Sequence, residues 1–158
     1  MSPRRHARNV DGSRVQMTEI VLPEDTNPHG SVFGGRVLGL IDKCAAAVAL
    51  RHARSHVLTA SLDSVVFLNR VRLGNLLLLH GRINAAFGSS MEVEVEVWAE
   101  DPLSGERTLT TTAFVTMVAV DARGRPHPVP RLELRSDEER SRAELATRRR
   151  EARLATRD

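Results

Sequence analysis

Between Gly34 and Arg54 the chain holds a stretch that would be apolar on nearly every face of a helix: Val37-Leu38-Gly39-Leu40-Ile41, then Cys44-Ala45-Ala46-Ala47-Val48-Ala49-Leu50. Such a helix cannot lie on a surface and must be wrapped by other elements. One carboxylate, Asp42, interrupts it. Burying an unpaired charge is costly, so Asp42 is the first candidate for chemistry. Ahead of the helix stand a breaker-rich turn, Asn27-Pro28-His29-Gly30, and the pair Gly34-Gly35.

After the helix the apolar period changes to two. The pattern predicts strands over residues 57–69, 76–87, 90–100 and 108–120, with an earlier one over 14–22. The sharpest alternation sets Met91, Val93, Val95 and Val97 against Glu92, Glu94 and Glu96. It predicts one face in the core and the other in water. Breaks at Arg72-Leu73-Gly74-Asn75 and at Gly88-Ser89 predict hairpins and antiparallel pairing, and Asp101-Pro102-Leu103-Ser104-Gly105 predicts another turn. One strand, one enclosed helix and four antiparallel strands form an α+β order. Its natural solution is a curved antiparallel sheet wrapped around one long central α-helix, over residues 13–134. Residues 1–12 are basic, aperiodic and expected to form a flexible arm. Pro126, Pro128 and Pro130 mark an extended exit loop. In residues 135–158, Ser136 precedes acids at 137–139 and bases at 148–150, which predicts a capped helix aligned with its dipole. With only Leu145 and Leu154 as large apolar residues, that helix is expected to be a solvated tail.

Composition narrows the function classes. The 158 residues suffice for one domain with a real core. Net charge is only +3; the basic residues are almost all Arg, with Lys43 the single Lys. The slight excess suits an anionic ligand better than a cationic one. From Ser136 to Asp158 the tail sets seven Arg against six acids and has no aromatic to stack on a base, so nucleic acid is not an expected partner. Cys44 is the only Cys, which excludes an internal disulfide and suits a reducing compartment. It reads as a small buried hydrophobe, since His52 lies eight residues on, too far along a helix to activate it. No apolar run approaches a membrane span and the N-terminus is unlike a secretory signal, so the expected location is cytoplasmic.

Asn27-Pro28-His29-Gly30, Phe33-Gly34-Gly35 and Asp42 resemble the signature of the hotdog-fold acyl-CoA thioester hydrolases. Gly88-Ser89-Ser90-Met91-Glu92-Val93 with Val97-Trp98, and Phe114-Val115-Thr116-Met117-Val118-Ala119-Val120-Asp121 before Gly124 and Val129-Pro130, match in the same order. The resemblance runs from about Val15 to Leu132. It implies a hotdog fold and hydrolysis of acyl-CoA to free acid and CoA, in fatty acid and lipid metabolism. It implies no metal and no cofactor, coenzyme A being part of the substrate and product. It also implies a dimer with two sheets joined edge to edge, often a trimer of dimers, and active sites at the subunit interface, so that one site draws on two chains.

On this resemblance Asp42 is the general base for water or the nucleophile on the thioester. Gly34 and Gly35 offer helix N-terminal N–H groups to the oxyanion. Asn27, biased toward an extended conformation by Pro28, supplies an amide to the water or carbonyl. Phe33, Gly88, Ser89 and Ser90 are substrate-binding candidates, the last three at the pantetheine and phosphates. Arg70, Arg82 and Arg131, with Arg72 and Arg125, are candidates for the CoA phosphates, since a guanidinium binds phosphate through two parallel hydrogen bonds. His29 reads as turn surface, and the role of Asp63 stays open. A hotdog hydratase would want a His in the helix body, where only His52, at the far end, is found. A non-catalytic acyl-CoA sensor is the alternative, but it needs an effector module that the short arms do not supply.

Overall fold

The long helix of the computed structural model, α1, runs Gly34–Ala53. The structure describes residues 6–63 and 65–157. In chain order come β1 (Arg8–Asn9), β2 (Val15–Ile20), α1, β3 (His56–Asp63), β4 (Leu76–Ala86), β5 (Ser90–Glu100), β6 (Arg107–Val120), β7 (Leu132–Glu133) and α2 (Asp137–Ala155). Five strands form one antiparallel sheet in the order β2-β4-β5-β6-β3. The sheet curls around α1, which is the expected hotdog architecture.

Three expectations about the chain's course are corrected. The break at 72–75 is not a hairpin: β3 pairs with β6, not β4, and the segment between β3 and β4 crosses to the opposite side of the sheet. β3 therefore lies at one edge of the sheet and β2 at the other. The arm expected over 1–12 is ordered from Arg8: β1 pairs in parallel with β7, and Val10 is buried. Residues 1–5 lie outside the described residues. The charged tail is a docked helix, not a solvated one.

That docking explains the outward face of β5. Its inward residues Val93, Val95 and Val97 pack on α1, as the alternation requires. Glu92 and Glu94, expected in water, are only 2% and 5% exposed, because α2 covers them. Arg149 reaches Glu92 with two hydrogen bonds, at 2.7 and 3.0 Å, and stacks 3.7 Å over the Phe114 ring. Arg142 pairs with Glu94 and also with Glu138. Ser136 caps α2 by accepting from the Glu139 N–H at 3.1 Å, as its position in the sequence predicts. A helix docked through arginines leaves no apolar stripe in the sequence. Removing one partner of a buried pair strands the other charge. Arg149→Ala is accordingly expected to cost about 3 kcal/mol, read by denaturant unfolding, with Glu92→Gln in the same chain recovering part of the loss.

α1 packs tightly against the sheet at Gly81 on β4. A Cβ there would sit 2.8 Å from Cys44 Sγ and 2.8 Å from Val48 Cγ2. Gly81→Ala is expected to destabilise the fold by about 1–3 kcal/mol through overpacking, measured as a lowered unfolding midpoint. Cys44 is fully enclosed and burial pushes its thiol up to about 11. It is a core residue, as expected, and not a nucleophile.

One flank of α1 stays open. Val37, Leu40, Ile41, Cys44, Ala45, Val48 and Ala49 face the sheet, but Leu50 is 46% exposed and Ala46 and Ala47 are only partly covered. A single chain thus wraps only part of the helix. Beside this flank runs the unpaired edge of β3, where Leu58 is 57% exposed, followed by exposed Val66, Phe67 and Leu68. A long free edge strand with an apolar surface is a template for pairing with another chain.

Candidate active site

The turn before α1 is built by Asn27. Its backbone carbonyl accepts from the Gly30 N–H at 3.0 Å, and Gly30 takes the positive φ of 73° that closes the turn. The Asn27 side-chain Oδ1 accepts from the N–H groups of His29 at 2.9 Å and Ser31 at 3.2 Å. This fixes which way the amide points. Nδ2 then makes no hydrogen bond among the described residues, so the free end of Asn27 is a donor.

Asn27 and Gly34 line one cleft of about 350 Å³, with Ser31, Phe67, Arg70 and Thr110. The N-cap of α1 is Phe33, which makes no side-chain cap. Gly34 and Gly35 donate no hydrogen bond to a protein atom among the described residues, leaving the helix N-terminus as a pair of free donors. A Cβ at Gly35 would meet nothing within 4 Å, and one at Gly34 would meet the Phe67 ring at 3.4 Å. The expected grouping of Asn27 with Gly34 is present, and exposed His29 lies on the cleft rim.

Asp42 lies elsewhere on the surface of the same chain. It is half-buried on the open flank of α1, facing β3, and does not line this cleft. Thr59 Oγ1 donates to Asp42 Oδ1 at 2.5 Å. Sequence reading missed Thr59; a Thr in a strand carries no signal of its own, and only the antiparallel placement of β3 against α1 reveals it. One Asp42 oxygen is thereby held, while Oδ2 makes no hydrogen bond among the described residues. A single chain thus presents, in two separate places, donors in a cleft and a hydrogen-bonded carboxylate beside a sheet edge.

The remaining candidates separate in the same way. Arg70 lines the cleft and a neighbouring hollow of about 470 Å³ shared with Arg72, and neither Arg has an ion-pair partner among the described residues. Phe33 is exposed at the helix N-terminus. Gly88, Ser89 and Ser90 form the β4–β5 hairpin at the opposite end of the sheet from Asn27, held by Val129 N–H to Gly88 O at 3.0 Å and Ala119 N–H to Ser89 O at 2.9 Å. They do not line the cleft of their own chain. Arg82 is not brought to the cleft: it lies on the outer face of the sheet, 3.4 Å from Glu138 of α2. Arg131 is exposed in the exit loop, where its carbonyl accepts from the Arg8 N–H at 2.9 Å. Arg125 pairs with Asp121. Asp63, at the end of β3, lies 3.5 Å from Arg153 of α2.

The thioesterase superfamily model matches residues 29–106. The chain is 42% identical over 127 residues to the uncharacterized acyl-CoA thioester hydrolase YkhA of Bacillus subtilis, an alignment spanning 80% of this chain and 74% of that one. The chain belongs to the acyl-CoA thioester hydrolases. Among solved structures, an apo hexameric acyl-CoA thioesterase superposes with a TM-score of 0.91 at 46% identity, covering 96% of this chain and 97% of that one. The acyl-CoA hydrolase of Staphylococcus aureus, in complex with butyryl coenzyme A, coenzyme A and coenzyme A disulfide, gives 0.88 at 35%, covering 96% and 92%. Structures of that enzyme with alanine in place of an aspartate, a threonine or an asparagine superpose equally well. The mouse cytosolic acyl coenzyme A thioester hydrolase is 36% identical over 138 residues, 85% of this chain, which spans only 36% of its length. As a thioesterase of this family the chain is an enzyme. Among the described residues no helix is long and apolar enough to cross a membrane.

Proposed function

We propose that two chains pair through β3 and that each cleft, completed by Asp42 and Thr59 of the other chain, hydrolyses acyl-CoA to a free acid and coenzyme A. The observation that carries this reading is the split site: free donors at Asn27 and Gly34 in one place, and a carboxylate held by Thr59 at an unpaired sheet edge in another. The three side chains, Asp, Thr and Asn, are the residue types replaced in the Staphylococcus aureus variants.

In this mechanism the thioester carbonyl oxygen lies against the Gly34 N–H and the Asn27 amide, where negative charge develops. Asp42 Oδ2 takes a proton from water as the water oxygen bonds to the carbonyl carbon. The tetrahedral intermediate collapses, the C–S bond breaks, and the proton passes from Asp42 to the departing thiolate. Thr59 keeps the carboxylate in one orientation throughout. Asp42 acts as a base and no metal or cofactor takes part. Single-turnover hydrolysis in ¹⁸O-water tests the base role: label goes only to the product acid, whereas label in the Asp42 carboxylate would establish a nucleophile.

Arg70 and Arg72 bind the CoA phosphates in this reading, which their position as cations without an ion-pair partner among the described residues, beside the cleft, supports. Assembly as a trimer of dimers is supported by two solved relatives named hexameric, and a cytoplasmic location by the mouse relative named cytosolic. The reaction is tested by thiol release from short, medium, long and aromatic acyl-CoAs. Turnover that depends on acyl chain supports it, whereas CoA binding with no turnover of any thioester would make the protein an acyl-CoA sensor.

A further inference from the structure

We infer that Thr110 binds the substrate, its hydroxyl hydrogen-bonding an amide of the pantetheine arm of acyl-CoA; this rests on the acyl-CoA reading of the cleft. β5 and β6 pair residue for residue except at one point. Val97 faces Thr111 and Trp98 faces Leu109, which leaves Thr110 as the extra residue of a β-bulge. A bulge breaks the strict alternation of side chains and re-aims one of them. Thr110 and its neighbour Thr111 are both buried.

Thr110 is 1% exposed, and its Oγ1 has no hydrogen-bond partner among the described residues. It lines the same cleft as Asn27 and Gly34. A buried hydroxyl is normally satisfied, and a bulge that turns one toward a cavity provides for a ligand there. The bulge also holds the cleft wall: the Leu68 N–H donates to Thr110 O at 2.8 Å, and Asn69 Nδ2 to Leu109 O at 2.8 Å.

The part of the substrate follows from the chemistry along the wall. The acyl chain has nothing to offer a hydroxyl, and the thioester carbonyl has the donors of Gly34 and Asn27. The cleft continues through Asn69 and Arg70 into the hollow of Arg72, where Thr108 of the same strand stands two residues before Thr110. A chain running from phosphates at Arg70 and Arg72 to a thioester at Gly34 passes Thr110 with its amide-bearing segment. An amide offers both a donor and an acceptor, and a hydroxyl can serve either.

The test compares Thr110→Val, which keeps the shape and deletes the hydroxyl, with Thr110→Ser, which keeps the hydroxyl. Calorimetric affinity for free coenzyme A is measured beside steady-state kcat and KM on an acyl-CoA that the wild type cleaves. Thr110→Val is expected to weaken coenzyme A binding and raise KM by about tenfold. Its kcat stays near wild type, its melting temperature is not lowered, and Thr110→Ser remains close to wild type throughout. If the valine variant does not fold, Thr110→Ala reads the same deletion with less packing demand. Wild-type coenzyme A affinity in the hydroxyl-less variant overturns the inference, and so does a loss confined to kcat, which would put the hydroxyl on the thioester. A wild type that binds coenzyme A but cleaves nothing defeats the hydrolase reading alone, since the affinity comparison still decides the role of Thr110.

Discussion

Asp42→Asn is expected to lower thioester turnover by about a hundred- to ten-thousandfold while leaving the protein folded and assembled. The substitution is nearly isosteric, and its Oδ1 still accepts from Thr59 Oγ1, so the 2.5 Å hydrogen bond that orients the side chain survives. What disappears is the basic oxygen that receives the proton of water. Substrate binding should persist, so the loss falls on kcat with KM little changed. Thr59→Val is expected to do less, since it frees the carboxylate without removing it. An Asp42→Asn enzyme within about tenfold of wild type would place the base elsewhere.

Leu58→Lys is expected to abolish activity by a different route. Leu58 stands on β3, at the sheet edge, next to the hydrogen-bonded pair of Asp42 and Thr59. A lysine on an edge strand blocks strand-to-strand pairing, and a charge buried in an apolar interface is costly. The fold of each chain should be little affected, because Leu58 makes its surface outside the core. Light scattering should show a smaller species, and turnover should fall toward the uncatalysed rate because neither half-site is complete alone. Partial activity that rises with protein concentration would fit a weakened pair. Full activity in a strictly monomeric variant would contradict the split site.

How far the sequence alone led depends on where each signal was local. The Ser90–Glu100 strand was legible to the residue, since the Val and Glu alternation there is strict. The same alternation misplaced Glu92 and Glu94 in water, because α2 covers them with Arg142 and Arg149 and so carries no apolar stripe to announce a packed face. The glycine and asparagine at 74 and 75 read as a hairpin, yet the segment leads from β3 at one edge across to β4 on the other side of the sheet. A turn motif reports a change of direction and not which strand is met next. Of the proposed site, Asn27, Gly34 and Asp42 stood out because a rigid turn, a paired glycine and a lone helix carboxylate are each unusual in their setting. Thr59 and Thr110 did not, since threonine is ordinary in strands. One is marked only by its hydrogen bond to Asp42 and the other by a break in register. Arg82 illustrates the converse: a cation near a strand end, turned by the pleat to the outer face and to Glu138.

The central claim is that Asn27 of one chain works with Asp42 of another, and mixing two inactive variants tests it most directly. Asn27→Asp removes the amide donor but keeps an oxygen to hold the turn through His29 and Ser31. Asp42→Asn removes the base. Co-expressed in equal amounts and purified without selecting either variant, the two should assemble at random, so that half of the pairs are mixed and one site in each mixed pair inherits both intact residues. Activity should return to about a quarter of wild type, from two parents that each have almost none. A mixed preparation no more active than its parents would show that Asn27 and Asp42 do not meet across a subunit boundary, and the split site would fall with it.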